Sequence, residues 1–148
     1  MIIYLASDHA GFELKEKIKE FLVQNRHEVK DMGPVTFDPA DDYPDFIKPA
    51  VVAVAEDPEN SRAIIIGASG QGEAMVANRL KGIRAAVFYG GLDEIIRLSR
   101  EHNDANVLSL GARFVSPEGA LAAVKLWLDT PFSNAERHAR RIKKIDPA

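Results

Sequence analysis

The sequence predicts an α/β fold: a doubly wound, Rossmann or flavodoxin-like sheet of five parallel strands with helices on both faces. Apolar runs rich in β-branched residues, such as 64–66, are typical of buried parallel strands. Helical periodicity alternates with these runs along almost the whole chain, which favours βαβ connections. A length of 148 residues with 46% apolar content suits one core. We therefore expect a single domain over residues 1–148.

The first half of the chain predicts two strands, two helices and one exposed loop. The first helix is the clearest, because Leu14, Ile18 and Leu22 recur at helical spacing. Charged residues occupy its other positions, and we expect them, Lys15 included, to face solvent. Prolines and acidic residues mark the loop. In chain order these elements are expected at 2–6 (strand), 11–25 (helix), 28–32 (strand), 35–44 (loop) and 45–56 (helix).

The second half continues the alternation through three more strands and ends in a basic helix. Ser116 and Pro117 suit the N-cap and N1 positions of a helix that Thr130-Pro131 terminates. The strands are expected at 64–66, 84–88 and 106–110. The helices are expected at 74–80, 92–101, 116 to 127 or 128, and 134–145.

The common order for five such strands is 2-1-3-4-5, with the ligand crevice between strands 1 and 3. That order places Ser7-Asp8-His9, after strand 1, beside the turn that follows strand 3. The two turns therefore meet where this topology favours a ligand.

The turn after strand 3, Gly67-Ala68-Ser69-Gly70-Gln71-Gly72-Glu73, carries the strongest chemical pattern. Backbone N–H groups at a helix N-terminus can hold an anion or a developing oxyanion. Glu73 would place a possible base beside them. Two alternatives stay open: a tight turn that only connects strand to helix, and a carboxylate that only complements the helix dipole.

Other candidates also have structural alternatives. Asp8 could cap the first helix. His102 precedes strand 5, at the edge of the sheet opposite the crevice, so it could cap the preceding helix or serve a neighbouring subunit. Arg137 and Arg141 share one helix face, which could be a solvated tail or a clamp for phosphate.

Composition excludes several classes. A net charge of −3 gives no electrostatic footprint for nucleic acid, and the absence of cysteine excludes disulfides and a thiol nucleophile. The glycine turn matches only half of a dinucleotide fingerprint and is not followed by G-K-[ST]. No apolar run approaches the ~20 residues of a membrane span, and the N-terminus lacks a signal-peptide pattern. We expect a soluble cytoplasmic protein.

Several motifs together resemble the ribose-5-phosphate isomerase type B family, which also contains galactose-6-phosphate and allose-6-phosphate isomerases. The resemblance covers nearly the whole chain. Its motifs are Ser7-Asp8-His9-Ala10-Gly11-Phe12 with Leu14-Lys15, Asp42-Tyr43-Pro44-Asp45-Phe46, the glycine turn, 78–84, 101–108 with Gly111-Ala112-Arg113, and Arg137-His138 with Arg141.

The resemblance implies an aldose–ketose isomerase of ribose 5-phosphate and ribulose 5-phosphate that needs no metal or cofactor. It also implies a homodimer whose active sites are shared between subunits, and it leaves open whether two dimers pair into a tetramer. The last helix would pack on or reach across the dimer interface. Proton transfer would involve Glu73, His102, Ser69 and Asp8. The expected substrate-binding residues are Asp8, His9, Tyr43, Ala68, Ser69, Gly70, Gln71, Gly72, Asn103, Arg113, Arg137 and Arg141.

Position 67 distinguishes two branches of that family. Many members have a cysteine there as the proton-abstracting base, whereas this chain has Gly67. A second branch uses a glutamate after the glycine turn, and the pattern ending in Glu73 is similar to that branch. Two other functions stay open: isomerisation of a hexose 6-phosphate, and a flavodoxin-like module that binds a nucleotide phosphate without chemistry.

Overall fold

The computed structural model describes residues 1–147 and confirms the predicted fold class; residue 148 of the expected domain lies outside this range. Within it, five parallel strands form one sheet and six helices surround it. The strands are β1 (Ile2–Ser7), β2 (Glu28–Asp31), β3 (Ser61–Gly67), β4 (Ala85–Phe88) and β5 (Val107–Gly111). The helices are α1 (Phe12–Gln24), α2 (Tyr43–Glu56), α3 (Gln71–Ala77), α4 (Asp93–Glu101), α5 (Pro117–Asp129) and α6 (Glu136–Ile142).

Two apolar cores lie on the two faces of the sheet. One face packs against α1, α4 and α5, where Trp127 is fully buried. The other packs against α2 and α3. Successive residues of β3 serve the two cores in turn: Ile64 and Ile66 face the first, and Ile65 faces the second. The β-branched run therefore forms a central strand because both of its faces are covered.

The predicted strand order, 2-1-3-4-5, is wrong in its last two strands. The observed order is β2-β1-β3-β5-β4. All five residues of β5 are buried, whereas only Phe88 of β4 is buried. The strand that can be covered on both faces takes the inner position, and the more exposed strand takes the edge. The crevice between β1 and β3 is retained, but β5 now also ends beside it.

Lys15 does not face solvent as predicted, because its side chain is fully buried between α1 and β2. Its Nζ donates to both carboxylate oxygens of Asp31 at 2.8 and 2.7 Å, and to Glu16 at 2.9 Å. Burial alone would raise the pKa of Asp31, but the hydrogen bonds from Lys15 and Lys19 lower it overall. A buried ammonium is tolerated here because carboxylates surround it.

Helix α3 begins and ends three residues earlier than predicted. Gly70, with a φ of +77°, is its N-cap, so Glu73 lies inside its first turn. Asn78 is the C-cap of this helix. Its side chain accepts from the Ala85 N–H at 2.8 Å and donates to the Ala85 carbonyl at 3.1 Å, so it pairs with the start of β4 as a neighbouring strand would. Over residues 1–147, no helix is long and apolar enough to cross a membrane.

Candidate active site

The carboxyl ends of β1, β3 and β5 meet at one edge of the sheet. The backbone of the β5 end is tied to the glycine turn, because Ala112 N donates to the Gly67 carbonyl at 2.8 Å and Arg113 N donates to the Ala68 carbonyl at 3.1 Å. This edge is the crevice where doubly wound folds bind ligands. It brings Asp8, His9, Tyr43, residues 68–72, Glu73 and Arg113 into one region.

The glycine turn is held in a fixed conformation. Gly70 has a positive φ, and a Cβ there would lie 2.9 Å from the Leu110 carbonyl carbon. The Ser109 hydroxyl donates to the Gly70 carbonyl at 2.6 Å, and the Ser69 hydroxyl accepts from Gln71 N at 3.3 Å. A side chain at position 70 would therefore both strain the backbone and clash with β5.

The Glu73 carboxylate turns back toward the end of β3 and is largely removed from water, with only 4% of the residue exposed. Burial raises the pKa of the Glu73 carboxyl; a hydrogen bond from its own backbone N–H lowers it, and the charge of Asp8 raises it further. The net pKa lies above the usual carboxyl value. A Cβ on Gly67 would overlap Oε1 of Glu73, so the carboxylate occupies the space that a side chain at position 67 would fill.

Asp8 and Tyr43 border the same turn. Oδ1 of Asp8 accepts from Ala10 N at 2.9 Å and Gly11 N at 3.2 Å, in the turn that precedes α1. Asp8 is not the N-cap that the structural alternative predicted, because that position belongs to Gly11. Tyr43, the first residue of α2, places its hydroxyl against Gly72, where a Cβ would lie 2.7 Å away.

His9 is held by Asp41, a residue that the sequence analysis missed. Oδ1 of Asp41 pairs with Nδ1 of His9 at 2.7 Å and accepts from the His9 backbone N–H at 3.1 Å. The bond to Asp41 is the main cause that raises the pKa of His9. Desolvation lowers that pKa, Asp8 raises it and Arg113 lowers it. Asp41 lies 32 residues away in an acidic loop, and no motif singled it out.

Asp8, His9 and Asp41 form a group that could hold a metal ion, because one ligand atom from each lies within 4.8 Å of the others. The observed contacts give a different account of the group. Nδ1 of His9 is paired with Asp41, and Asp8 accepts two backbone amides. Hydrogen bonding within the protein is therefore sufficient to explain why the three side chains converge.

A second cluster lies at the amino edge of the sheet. His102 is the C-cap of α4, in agreement with the helix-cap alternative, and its ring stacks on that of His138 in α6 at 4.1 Å between centroids. Nε of Arg137 lies 3.3 Å from Nε2 of His138. Burial and the charges of His102, Arg137 and Arg141 lower the pKa of His138.

Known proteins match this chain over almost its whole length. Residues 3–145 match the family model described as Ribose/Galactose Isomerase. The chain belongs to the ribose/galactose isomerase family. Among the relatives of this family member, the ribose-5-phosphate isomerase B of Mycolicibacterium paratuberculosis is 43% identical over 142 residues, which cover 96% of this chain and 87% of the relative.

Solved structures agree with the family assignment. The ribose-5-phosphate isomerase B of Mycoplasma genitalium, solved with bound ribulose 5-phosphate, superimposes with a TM-score of 0.93 at 39% identity and covers 97% of this chain and 93% of that one. The Thermotoga maritima ribose 5-phosphate isomerase gives a TM-score of 0.90 at 41% identity, with coverage of 98% and 97%.

In this family member, the predicted site residues fall into two separate groups. Asp8, His9, Tyr43, residues 68–73 and Arg113 lie at the carboxyl edge, whereas His102, Asn103, Arg137 and Arg141 belong to the amino-edge cluster. The five residues of β5 lie between the two edges and span about 16 Å. One copy of the chain therefore does not bring the two groups to a common point.

Proposed function

We propose that this protein interconverts ribose 5-phosphate and ribulose 5-phosphate by proton transfer through an enediolate. The relatives with this fold are named for that reaction, and one was solved with its ketose product. The observation that carries the proposal for this chain is the buried Glu73 carboxylate beside the glycine turn. A base and a set of oxyanion donors are the two groups that this isomerisation needs.

Glu73 acts as the base in this proposal. It removes the proton from C2 of the opened aldose to give the enediolate. A proton then moves from the C2 oxygen to the C1 oxygen, and Glu73 returns its proton to C1, giving the ketose. Its raised pKa favours this role, since a general base works best when its pKa approaches the working pH. Backbone N–H groups of the turn, residues 68–72, stabilise the negative charge on the enediolate oxygen. Ser69 contributes by orienting that turn through its contact with Gln71.

The chain is proposed to belong to the branch with glutamate in place of cysteine. The overlap between a Cβ at position 67 and the Glu73 carboxylate supports this assignment. With any side chain at position 67, the carboxylate could not keep its place. Glycine at 67 and glutamate at 73 are thus two parts of one arrangement.

Each of the other predicted site residues has a role that depends on the edge of the sheet at which it lies. At the carboxyl edge, His9 and Arg113 bind the phosphate group, and Tyr43 lines the pocket. From the amino edge of a second copy, Arg137 and Arg141 complete the phosphate site. Asn103 of that copy contacts the sugar, and His102 donates the proton that opens the ring, with Asp8 of the first copy nearby.

An open groove along α3 and β4 supports a homodimer with shared sites. One cavity of about 660 Å³ begins at Gln71, and a neighbouring one of about 520 Å³ reaches Asn103; both are lined by Asn78, Arg79 and Ala85. If two copies met along this groove through a two-fold axis, their α3 helices and β4 strands would run in opposite directions. The amino-edge cluster of each would then meet the glycine turn of the other.

The test compares substrates. We expect ribose 5-phosphate to give a higher kcat/KM than galactose 6-phosphate or allose 6-phosphate. A preference for either hexose phosphate would move the assignment within the family. If none is converted, while nucleotides rather than pentose phosphates raise the melting temperature, the chain is a binding module and the proposal is wrong.

A further inference from the structure

One carboxylate oxygen of Asp41 holds both the backbone and the ring of His9. Oδ1 accepts from the backbone N–H at 3.1 Å and pairs with ring Nδ1 at 2.7 Å. Only 6% of the Asp41 side chain is exposed, and its Oδ2 is buried without a hydrogen-bond partner among residues 1–147. A carboxylate in such a place needs a compensating positive charge, and the imidazole is the group it touches.

The contact decides what His9 can offer to a ligand. When Nδ1 donates to Asp41, a neutral ring presents a lone pair at Nε2, because neutral imidazole carries a single proton. A phosphate dianion cannot accept a hydrogen bond from that lone pair. His9 can donate to phosphate through Nε2 only as the doubly protonated cation.

We propose that Asp41 is the positioning residue of the phosphate site: it fixes the His9 ring and keeps it in the cationic form that donates Nε2–H to the substrate phosphate. This inference rests on the proposed function, which assigns His9 to phosphate. Asp41 itself acts through His9 and does not touch the substrate.

The surroundings of His9 favour this role. Of the charged groups facing the ring, Asp41 and Asp8 raise the pKa of His9, whereas Arg113 and the partial burial of the ring lower it; the net shift is upward. Phe37 packs edge-on against the His9 ring at 6.4 Å between centroids, and it lies on the same loop as Asp41. That loop therefore holds the ring through one polar and one apolar contact.

The kinetic test uses Asp41→Asn, which can still accept from His9 but lacks the charge. With the raised pKa, His9 stays protonated to higher pH in the wild type, so its binding of phosphate is lost as pH rises through that value. In Asp41→Asn the loss should begin at lower pH, so KM should rise about tenfold in the pH range between the His9 pKa of the variant and that of the wild type, with much less effect on kcat. Asp38→Asn is the matched control, because Asp38 is in the same loop and its carboxylate accepts from Ala40 N at 2.9 Å rather than from His9.

A double variant separates positioning from general damage. Adding Asp41→Asn to His9→Gln should cost little more than His9→Gln alone, since Asp41 acts through His9. An unchanged KM profile in Asp41→Asn, or an equal further loss in the His9→Gln background, would overturn the proposal.

A measurement without turnover keeps this inference separate from the proposed function. The His9 ring is titrated by NMR, with its resonance assigned from the His9→Gln variant, in the presence and absence of inorganic phosphate. We expect Asp41→Asn to lower the pKa of His9 and to weaken phosphate binding in the pH range between that lowered pKa and the wild-type pKa. An unmoved titration contradicts the role of Asp41 even if the wild type is an active isomerase. A wild type that fails to isomerise ribose 5-phosphate contradicts the proposed function even if the titration moves.

Discussion

At the scale of single residues, the placement of the Glu73 carboxylate depends on the lack of a side chain at position 67. The nearest atoms to a Cβ there all belong to the Glu73 carboxyl group. These atoms are the end of a flexible side chain, so they can move without disturbing β3. A substitution at position 67 should therefore affect the proposed base more than the fold.

This dependence predicts the effect of Gly67→Ala. The added methyl group should displace the carboxylate and lower kcat by about a hundredfold or more, within the range for loss of a general base. Circular dichroism should show an intact fold. In a Glu73→Gln background the same substitution should have little further effect; full activity in Gly67→Ala would contradict the proposed position of the base.

Local sequence spacing was enough to single out candidate site residues, but it did not predict their surroundings. Glu73 and the glycine turn could be identified because their spacing is local. Asp41 could not, since its contact with His9 depends on how a loop 32 residues away folds back. Lys15 was assigned to solvent because it is charged and lies outside the apolar positions of its helix. That pattern does not show that the carboxylates of Asp31 and Glu16 pair with its ammonium group.

At the scale of elements, the strand boundaries and the helix caps were largely predictable, but the order of the sheet was not. Ser116 does accept from Gly119 N at 3.0 Å as the predicted N-cap. The exchange of β4 and β5 depends on how completely each strand is covered by helices. Both strands are short and apolar, so the sequence does not distinguish the inner one.

Neighbouring arginines of α6 should differ in how much their removal lowers kcat/KM. Arg137→Ala and Arg141→Ala should each lower kcat/KM for ribose 5-phosphate by about tenfold or more, since in the proposed site each would remove a charged hydrogen bond to phosphate. Arg140→Ala is the control, because Arg140 pairs at 3.1 Å with the exposed Glu136 on the same helix. Equal kinetics in all three variants would contradict the phosphate clamp and favour the alternative that α6 is a solvated tail.

At the scale of the whole molecule, the two clusters lie at opposite edges of the sheet, so the proposed function needs a second copy to join them into one site. Their separation by the length of β5 is fixed by the topology and does not depend on side-chain conformation. The fold places His102 at the edge of the sheet opposite the crevice, so its proposed role requires an interface with a second copy.

Mixed dimers test this arrangement. Glu73→Gln and His102→Asn are each expected to be nearly inactive alone. Co-expressed, they should recover about a quarter of the wild-type activity, since half of the dimers are hybrids and each hybrid has one intact site. If all the residues of a site came from one chain, mixing would recover no activity.

The most direct test of the central claim follows conversion of ribose 5-phosphate to ribulose 5-phosphate by the wild type and Glu73→Gln, each with and without EDTA. The account predicts wild-type turnover that EDTA leaves unchanged, and a kcat about 10²–10⁴-fold lower in Glu73→Gln with little change in KM. Full turnover in Glu73→Gln, or wild-type turnover abolished by EDTA, would contradict a metal-free isomerase with Glu73 as its base.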